Sequence, residues 1–349
     1  MPLQKLFFPV VDDLIQKVAM SLTGQRVISV DRHMGGGNNR IFRVRTADKH
    51  LYALKQYPQR ANDSRDRLGA EFAALKFLES CGVGNVPKAI AADPAMGFAL
   101  YEWIDGIMVS DAAELDIDAA LEFIAVLHKY RTASGAGELS LASEACLAPI
   151  EIVAQLGRRL ARLNEVACSE PRLARFLSDE YAPVAVSVEA WSRRGYELAG
   201  WAFEQPIAPE DRCLSPSDFG FHNAIRRADG TLVFVDFEYF GWDDPAKLAA
   251  DFLLHPGMRL SPPQYERFRA GTLKIYGEKG TFAARLALVY PLYCLRWCMI
   301  LLNEFLPERW EARRRAGVHV DRDAATAGQM EKARERISIV RQYIVNHAQ

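Results

Sequence analysis

At 349 residues the chain is long enough to bury a sizeable core and to form two lobes. Half of it is apolar and 25% is charged, ordinary for a globular protein, and a net charge of −1 provides no general field for nucleic acid. Its six scattered cysteines lack Cys-x-x-Cys or zinc spacing, which argues against a disulfide framework or a zinc domain and for free thiols in a reducing compartment.

In chain order, residues 9–22 carry Val11, Leu14, Ile15, Val18 and Leu22 at helical spacing. The opening MPLQKLFFPVVDDLIQKV lacks the basic start and long apolar core of a signal peptide. No later apolar run approaches the ~20 residues of a membrane helix, so a cytoplasmic protein without membrane insertion is expected. Strands follow at Val27–Val30 and Ile41–Arg45, joined through His33-Met34-Gly35-Gly36-Gly37-Asn38-Asn39-Arg40. A glycine-rich turn between strands is a hairpin signal, and its glycines also let backbone N–H groups come close to a phosphate.

The strand Leu51–Tyr57 contains Lys55 in a mostly apolar setting. A buried ammonium requires a partner, and Glu71 offers one on the helix Arg65–Glu79, where Leu68, Phe72, Leu75 and Leu78 repeat at three and four. Such a pair could present the ammonium to nucleotide phosphates. Short strands at Ala89–Ala92 and Phe98–Trp103 end at a hinge signal, Asp105-Gly106. The pattern then turns helical over Ile117–Arg131, Pro149–Glu165, Pro171–Phe203 (with a break near Tyr181–Pro183), Pro262–Tyr276, Phe282–Leu302 and Ala324–Asn346. His128 at the edge of one apolar face reads as a structural histidine before a catalytic one. Arg309, Arg313, Arg314 and Arg315 read as a solvated face before a phosphate patch.

Chemistry concentrates in Leu214–Asp251. Asp218 lies in an aperiodic stretch and is followed by Asn223 after four intervening residues. Asn223 opens a run that turns at Ala228-Asp229-Gly230 and returns through Thr231–Val235 to Asp236, which predicts a hairpin bringing Asn223 and Asp236 together. A carboxylate for a hydroxyl proton, plus an amide oxygen and a second carboxylate for Mg²⁺, is the set phosphoryl transfer uses. Any one of these residues could belong to a structural turn, but Lys55, Glu71, Asp218, Asn223 and Asp236 in this order are poorly explained that way.

These residues resemble the aminoglycoside phosphotransferase/choline kinase family over roughly residues 25–255. Its His-x-Asp-x-x-x-x-Asn is matched by Pro216-Ser217-Asp218-Phe219-Gly220-Phe221-His222-Asn223, and its Ile-Asp-Trp/Phe-Glu by Val235-Asp236-Phe237-Glu238. The resemblance implies an α+β, two-lobed protein-kinase-like fold with a small β-rich lobe at 1–102 and a larger, mainly helical lobe at 103–349. It implies Asp218 as catalytic base, Asn223 and Asp236 as Mg²⁺ ligands, and an ATP site from Gly36, Gly37, Asn38, Asn39, Lys55 and Glu71, with the adenine on backbone near Tyr101, Glu102 and Trp103. Leu127-His128, Asp244-Pro245 and Asp251 resemble family positions as well. One departure is that Pro216 stands where the family has a histidine, and proline could stiffen the same turn.

The expected activity is transfer of the ATP γ-phosphate to a hydroxyl of a small metabolite: a sugar or aminosugar, choline or ethanolamine, or an aminoglycoside. A nucleotide-binding pseudokinase is the alternative that Pro216 motivates. Glu238, Tyr239, Trp242 and Asp243, with Tyr290, Tyr293 and Trp297, could cage a cationic acceptor or stack on a sugar, although the helical aromatics read first as core. Only seven residues separate Asp236 from Asp244, too few for a long activation loop, so a protein substrate is not expected. The sequence carries no signal of oligomeric state.

Overall fold

A computed structural model describes residues 13–33, 39–57, 65–277, 280–315 and 321–347. The chain forms two compact units, one of residues up to Val109 with Ala133–Leu139 and Asn223–Phe240, the other of the remainder.

The first unit is built on an antiparallel sheet of β1 (Val27–His33), β2 (Arg40–Thr46), β3 (Leu51–Gln56), β4 (Ala89–Asp93) and β5 (Phe98–Glu102), in the order β1-β2-β3-β5-β4. Alternation, with a register shift between Val27 and Ser29, puts Val27, Val30, Phe42, Val44, Leu54, Phe98 and Leu100 on one face, where Ile15, Val18 and Ala19 of α1 (Asp13–Thr23) complete a core. Of the first predicted helix, residues 9–12 lie outside the described residues.

Helix α2 (Arg67–Ser80) starts where Asp66 accepts the Gly69 N–H at 2.8 Å. Its three-and-four spacing buries Leu68, Leu75 and Leu78 together with Glu71. In the sheet, Lys55 sits opposite Ile41 on one side and Ala99 on the other.

A second sheet holds the predicted hairpin, Ala224–Arg226 with Leu232–Phe234, and a short edge strand, Ile107–Met108. That edge strand follows the predicted hinge. At Gly106 a Cβ would stand 2.4 Å from the Arg226 carbonyl oxygen, so only glycine permits this close approach.

The second unit is mainly helical, with helices at Glu114–Tyr130, Pro149–Ala167, Pro245–Leu254, Pro262–Tyr276, Thr281–Leu301, Pro307–Arg315 and Arg322–Asn346. The break expected near Tyr181–Pro183 is instead a π-helical stretch, Phe176–Tyr181, between Pro171–Arg175 and Ala182–Leu198. Pro183 has no N–H to donate, and the wider turn precedes it.

The expectation that no run is long and apolar enough to cross a membrane needs correction. Thr281–Phe305 passes that test with mean hydropathy 1.5, but 83% of the tested stretch is buried inside the protein. Its Arg285 and Arg296 are buried against Asp244 and Asp251 at 2.6 and 3.2 Å, as befits a core helix. Tyr290, Tyr293 and Trp297 are buried on the same helix.

Candidate active site

Lys55 is 6% exposed and touches two carboxylates, Glu71 Oε2 at 2.6 Å and Asp236 Oδ1 at 2.5 Å. Burial works against its charge, yet Glu71, Asp236 and Glu238 outweigh it and hold the ammonium above its ordinary range. Burial raises the Glu71 carboxyl, partly offset by Lys55. Glu71 is held at two further points: Tyr57 donates its hydroxyl to Oε2 at 2.6 Å and the Phe237 N–H reaches Oε1 at 3.3 Å, while Tyr101 lies 2.7 Å from Tyr57, oxygen to oxygen. Sequence reasoning found the Lys55–Glu71 pair and missed Tyr57, although the two-residue period of the strand puts Tyr57 on the side of Lys55.

Asn223 and Asp236 meet at the open end of the hairpin, where the Val235 N–H donates to the Asn223 carbonyl at 2.9 Å. The register Ala224↔Phe234, Ile225↔Val233, Arg226↔Leu232 brings them there, and Gly230 (φ 89) turns the chain at the other end. Asp236 has φ 68, a costly conformation for a residue with a Cβ, held here by its link to Lys55. Lys55, Glu71 and Asp236 carry one formal excess negative charge, and Asn223 stands at the same end of the hairpin. That donor chemistry fits a hard divalent cation such as Mg²⁺.

Gly36, Gly37 and Asn38 lie outside the described residues. Asn39, next to them, is buried and donates Nδ2–H to Glu238 Oε2 at 2.5 Å. Arg67 takes the other oxygen of Glu238 at 3.2 Å and lies over the Tyr239 ring with Arg65. Glu238 and Tyr239 are therefore tied to Asn39, Arg65 and Arg67 within this unit.

Tyr101 is buried, Glu102 accepts the Lys88 N–H at 3.2 Å, and Trp103 donates Nε1–H to Asp105 at 2.9 Å with Arg43 over its ring. These three residues close strand β5 at its junction with the segment leading to Gly106.

In the helical unit, Asp218 follows the strand Cys213–Ser215, which pairs with Gly241–Asp243. The Asp218 N–H donates to the Pro216 carbonyl at 2.9 Å around Ser217, whose φ is 67: a γ-turn with a left-handed centre, started by the fixed φ of proline. Ser217 is braced on both sides, donating to the Ser143 carbonyl at 3.3 Å and accepting from Lys247 Nζ at 3.3 Å. Lys247 is buried between Asp243 at 2.8 Å and Asp251 at 3.3 Å, whose charges outweigh burial and keep it charged.

Phe219 and Phe221 turn inward onto Phe252, and His222 Nε2 lies 3.1 Å from Asp218 Oδ1. His128 packs edge-on against Tyr276 at 4.9 Å, as a structural residue does. Asp244 caps the helix Pro245–Leu254 through the Ala246 N–H at 2.7 Å and binds Arg285.

Residues 30–288 match the profile of the phosphotransferase enzyme family. The chain belongs to that family. No curated protein sequence shows significant similarity to the phosphotransferase.

Its fold is similar to a spectinomycin phosphotransferase solved with ADP and spectinomycin, with TM-score 0.64 and 12% identity over 96% of this chain and 100% of that one. A choline kinase from Streptococcus pneumoniae gives 0.58 and 17%, over 93% and 98%. A choline/ethanolamine kinase family protein from Mesorhizobium loti gives 0.57 and 15%, over 95% and 99%. At these identities the likeness is one of fold, the protein-kinase-like α+β fold expected from the sequence.

Proposed function

We propose that this phosphotransferase moves the γ-phosphoryl group of ATP to a hydroxyl of a small metabolite, a sugar or an amino alcohol. The observation that carries the reading is the buried contact of Lys55 with Glu71 and Asp236, at 2.6 and 2.5 Å, set beside Asn223 on one hairpin. Choline kinases and aminoglycoside phosphotransferases among proteins of the same fold support the acceptor class.

In this reading the acceptor hydroxyl gives its proton to Asp218 as its oxygen bonds to the γ-phosphorus. The bond from that phosphorus to the β,γ-bridging oxygen breaks, and ADP leaves with the electron pair. Lys55 holds the non-transferred phosphates, kept charged and aimed by Glu71, Tyr57 and Tyr101. Asn223 and Asp236 would hold Mg²⁺, which offsets phosphate charge when bound. The braced γ-turn holds the Asp218 main chain without a histidine at position 216.

ADP formation from Mg·ATP against a panel of hydroxylated metabolites tests the reading. Turnover with a sugar or amino alcohol is expected. Tight ATP binding with no turnover on any panel member would favour a non-catalytic nucleotide binder.

A further inference from the structure

We propose that His222 and His255 are paired positioning residues for Asp218, two imidazoles that each direct an Nε2–H toward the same carboxylate oxygen. The inference rests on Asp218 being the base. His222 Nε2 is 3.1 Å and His255 Nε2 4.0 Å from Asp218 Oδ1. Their rings are stacked at 3.9 Å and 11°, and Trp297 closes on His255 edge-on at 4.8 Å. Trp297 is itself fixed by donating Nε1–H to Asp251 at 2.9 Å.

The hydrogen bonds assign the protons. The Gly257 N–H donates to His255 Nδ1 at 3.1 Å, so this nitrogen carries a lone pair and the proton sits on Nε2. His222 Nδ1 is buried with no hydrogen-bond partner among the described residues. With its proton on Nε2, given to Asp218, His222 leaves only a lone pair unpaired. Burial and His222 also depress His255 to about 4, with Arg336 adding to them; Asp218 and Asp251 act the other way and are outweighed.

The packing is specific to this arrangement. A Cβ at Gly220 would stand 2.8 Å from the His222 ring and 2.5 Å from Met258 Sδ, and the Phe221 N–H donates to that sulfur at 3.2 Å. The Asp218–His222 segment is thereby tied to the His255–Met258 turn.

The three donor atoms lie within 4.8 Å of one another, a spacing that also suits a metal. Two features oppose that use. Both Nε2 atoms carry protons, and parallel rings cannot aim two in-plane lone pairs at one ion. What the pair supplies is orientation. It fixes one oxygen of the base. Protonating His255 would turn Nδ1 into a donor facing the Gly257 N–H and break the turn that aims the ring.

The test combines long-range ¹H–¹⁵N spectra of the histidines with ADP release from Mg·ATP, water serving as acceptor, across pH. In the wild-type chain both histidines are expected as the Nε2–H tautomer at neutral pH. His222→Leu is expected to lower kcat at least tenfold with KM for ATP within twofold. His222→Gln, whose amide N–H reaches the place of Nε2–H, recovers most of that loss, and His255→Leu shifts the acid limb of the kcat profile.

An Nδ1–H tautomer at either residue would overturn the proposal, even if a variant failed to fold. An inactive Asp218→Asn beside His222→Leu and His255→Leu of unchanged kcat and pH profile would overturn it while leaving Asp218 as the base. A fully active Asp218→Asn would instead remove the reading on which it rests.

Discussion

The ammonium of Lys55 stands 2.5 Å from the carboxylate of Asp236, a residue 181 positions further along the chain. One strand and one hairpin are thus joined by a charge-assisted bond at the place where the nucleotide phosphates are proposed to sit. Lys55→Met would leave Glu71 and Asp236 as neighbouring carboxylates without their cation. Breaking a buried pair of this kind costs about 3 to 5 kcal/mol. Urea denaturation should show a loss of that order, and an unchanged midpoint would mean that the contact does not persist in solution.

Tyr57 offers a milder probe of the same network. Tyr57→Phe removes the donor to Glu71 Oε2 and one partner of Tyr101, with no change of shape. The expected cost is about 1 to 2 kcal/mol in chemical denaturation, with a fall in ATP turnover as Lys55 loses orientation. Wild-type stability and rate together would show that Glu71 is held without Tyr57.

The metal assignment is read by thermal shift. ATP with Mg²⁺ is expected to raise the Tm of the wild-type chain more than ATP alone. In Asp236→Asn and in Asn223→Ala the two shifts should become equal. A Mg²⁺-dependent increment that survives in both variants would place the cation on other residues.

Acid should weaken the fold through His255. Its ordinary value near 6.5 falls to about 4 on burial, so between these values the unfolded chain binds a proton that the folded chain does not. Stability from this group is full above about 6.5 and declines as pH falls toward 4, by on the order of 3 kcal/mol in total. Denaturation at pH 7 and pH 4.5 should show a decline that is smaller in His255→Leu. An equal decline in both chains would assign the acid sensitivity elsewhere.

The parts legible in the sequence were those written in local periodicity. The mostly apolar run around Lys55 and the three-and-four spacing around Glu71 predicted a strand and a helix, and charge burial then paired the two residues. The turn Ala228-Asp229-Gly230 predicted the hairpin that joins Asn223 to Asp236. Long-range partners left no such trace. Asn39 bonds Glu238 across 199 positions, and His255 reaches Asp218 only because the chain turns back through a buried helix.

Two-residue Ile107–Met108 is too short to show alternation, and its pairing depends on the missing side chain of Gly106. Thr281–Phe305 passes for a membrane helix by composition, and only its packing shows it as core. His222 was within reach, since it stands four residues after Asp218.

Asp218 is assigned the proton of the acceptor hydroxyl, and the most direct measurement is the single-turnover rate of phosphoryl transfer by Asp218→Asn. It should be made with saturating Mg·ATP and an acceptor on which the wild-type chain turns over. The variant should bind Mg·ATP with wild-type thermal shift and transfer phosphate at least a hundredfold more slowly, in line with loss of a general base. Transfer at the wild-type rate by a folded, nucleotide-binding Asp218→Asn would contradict the assignment.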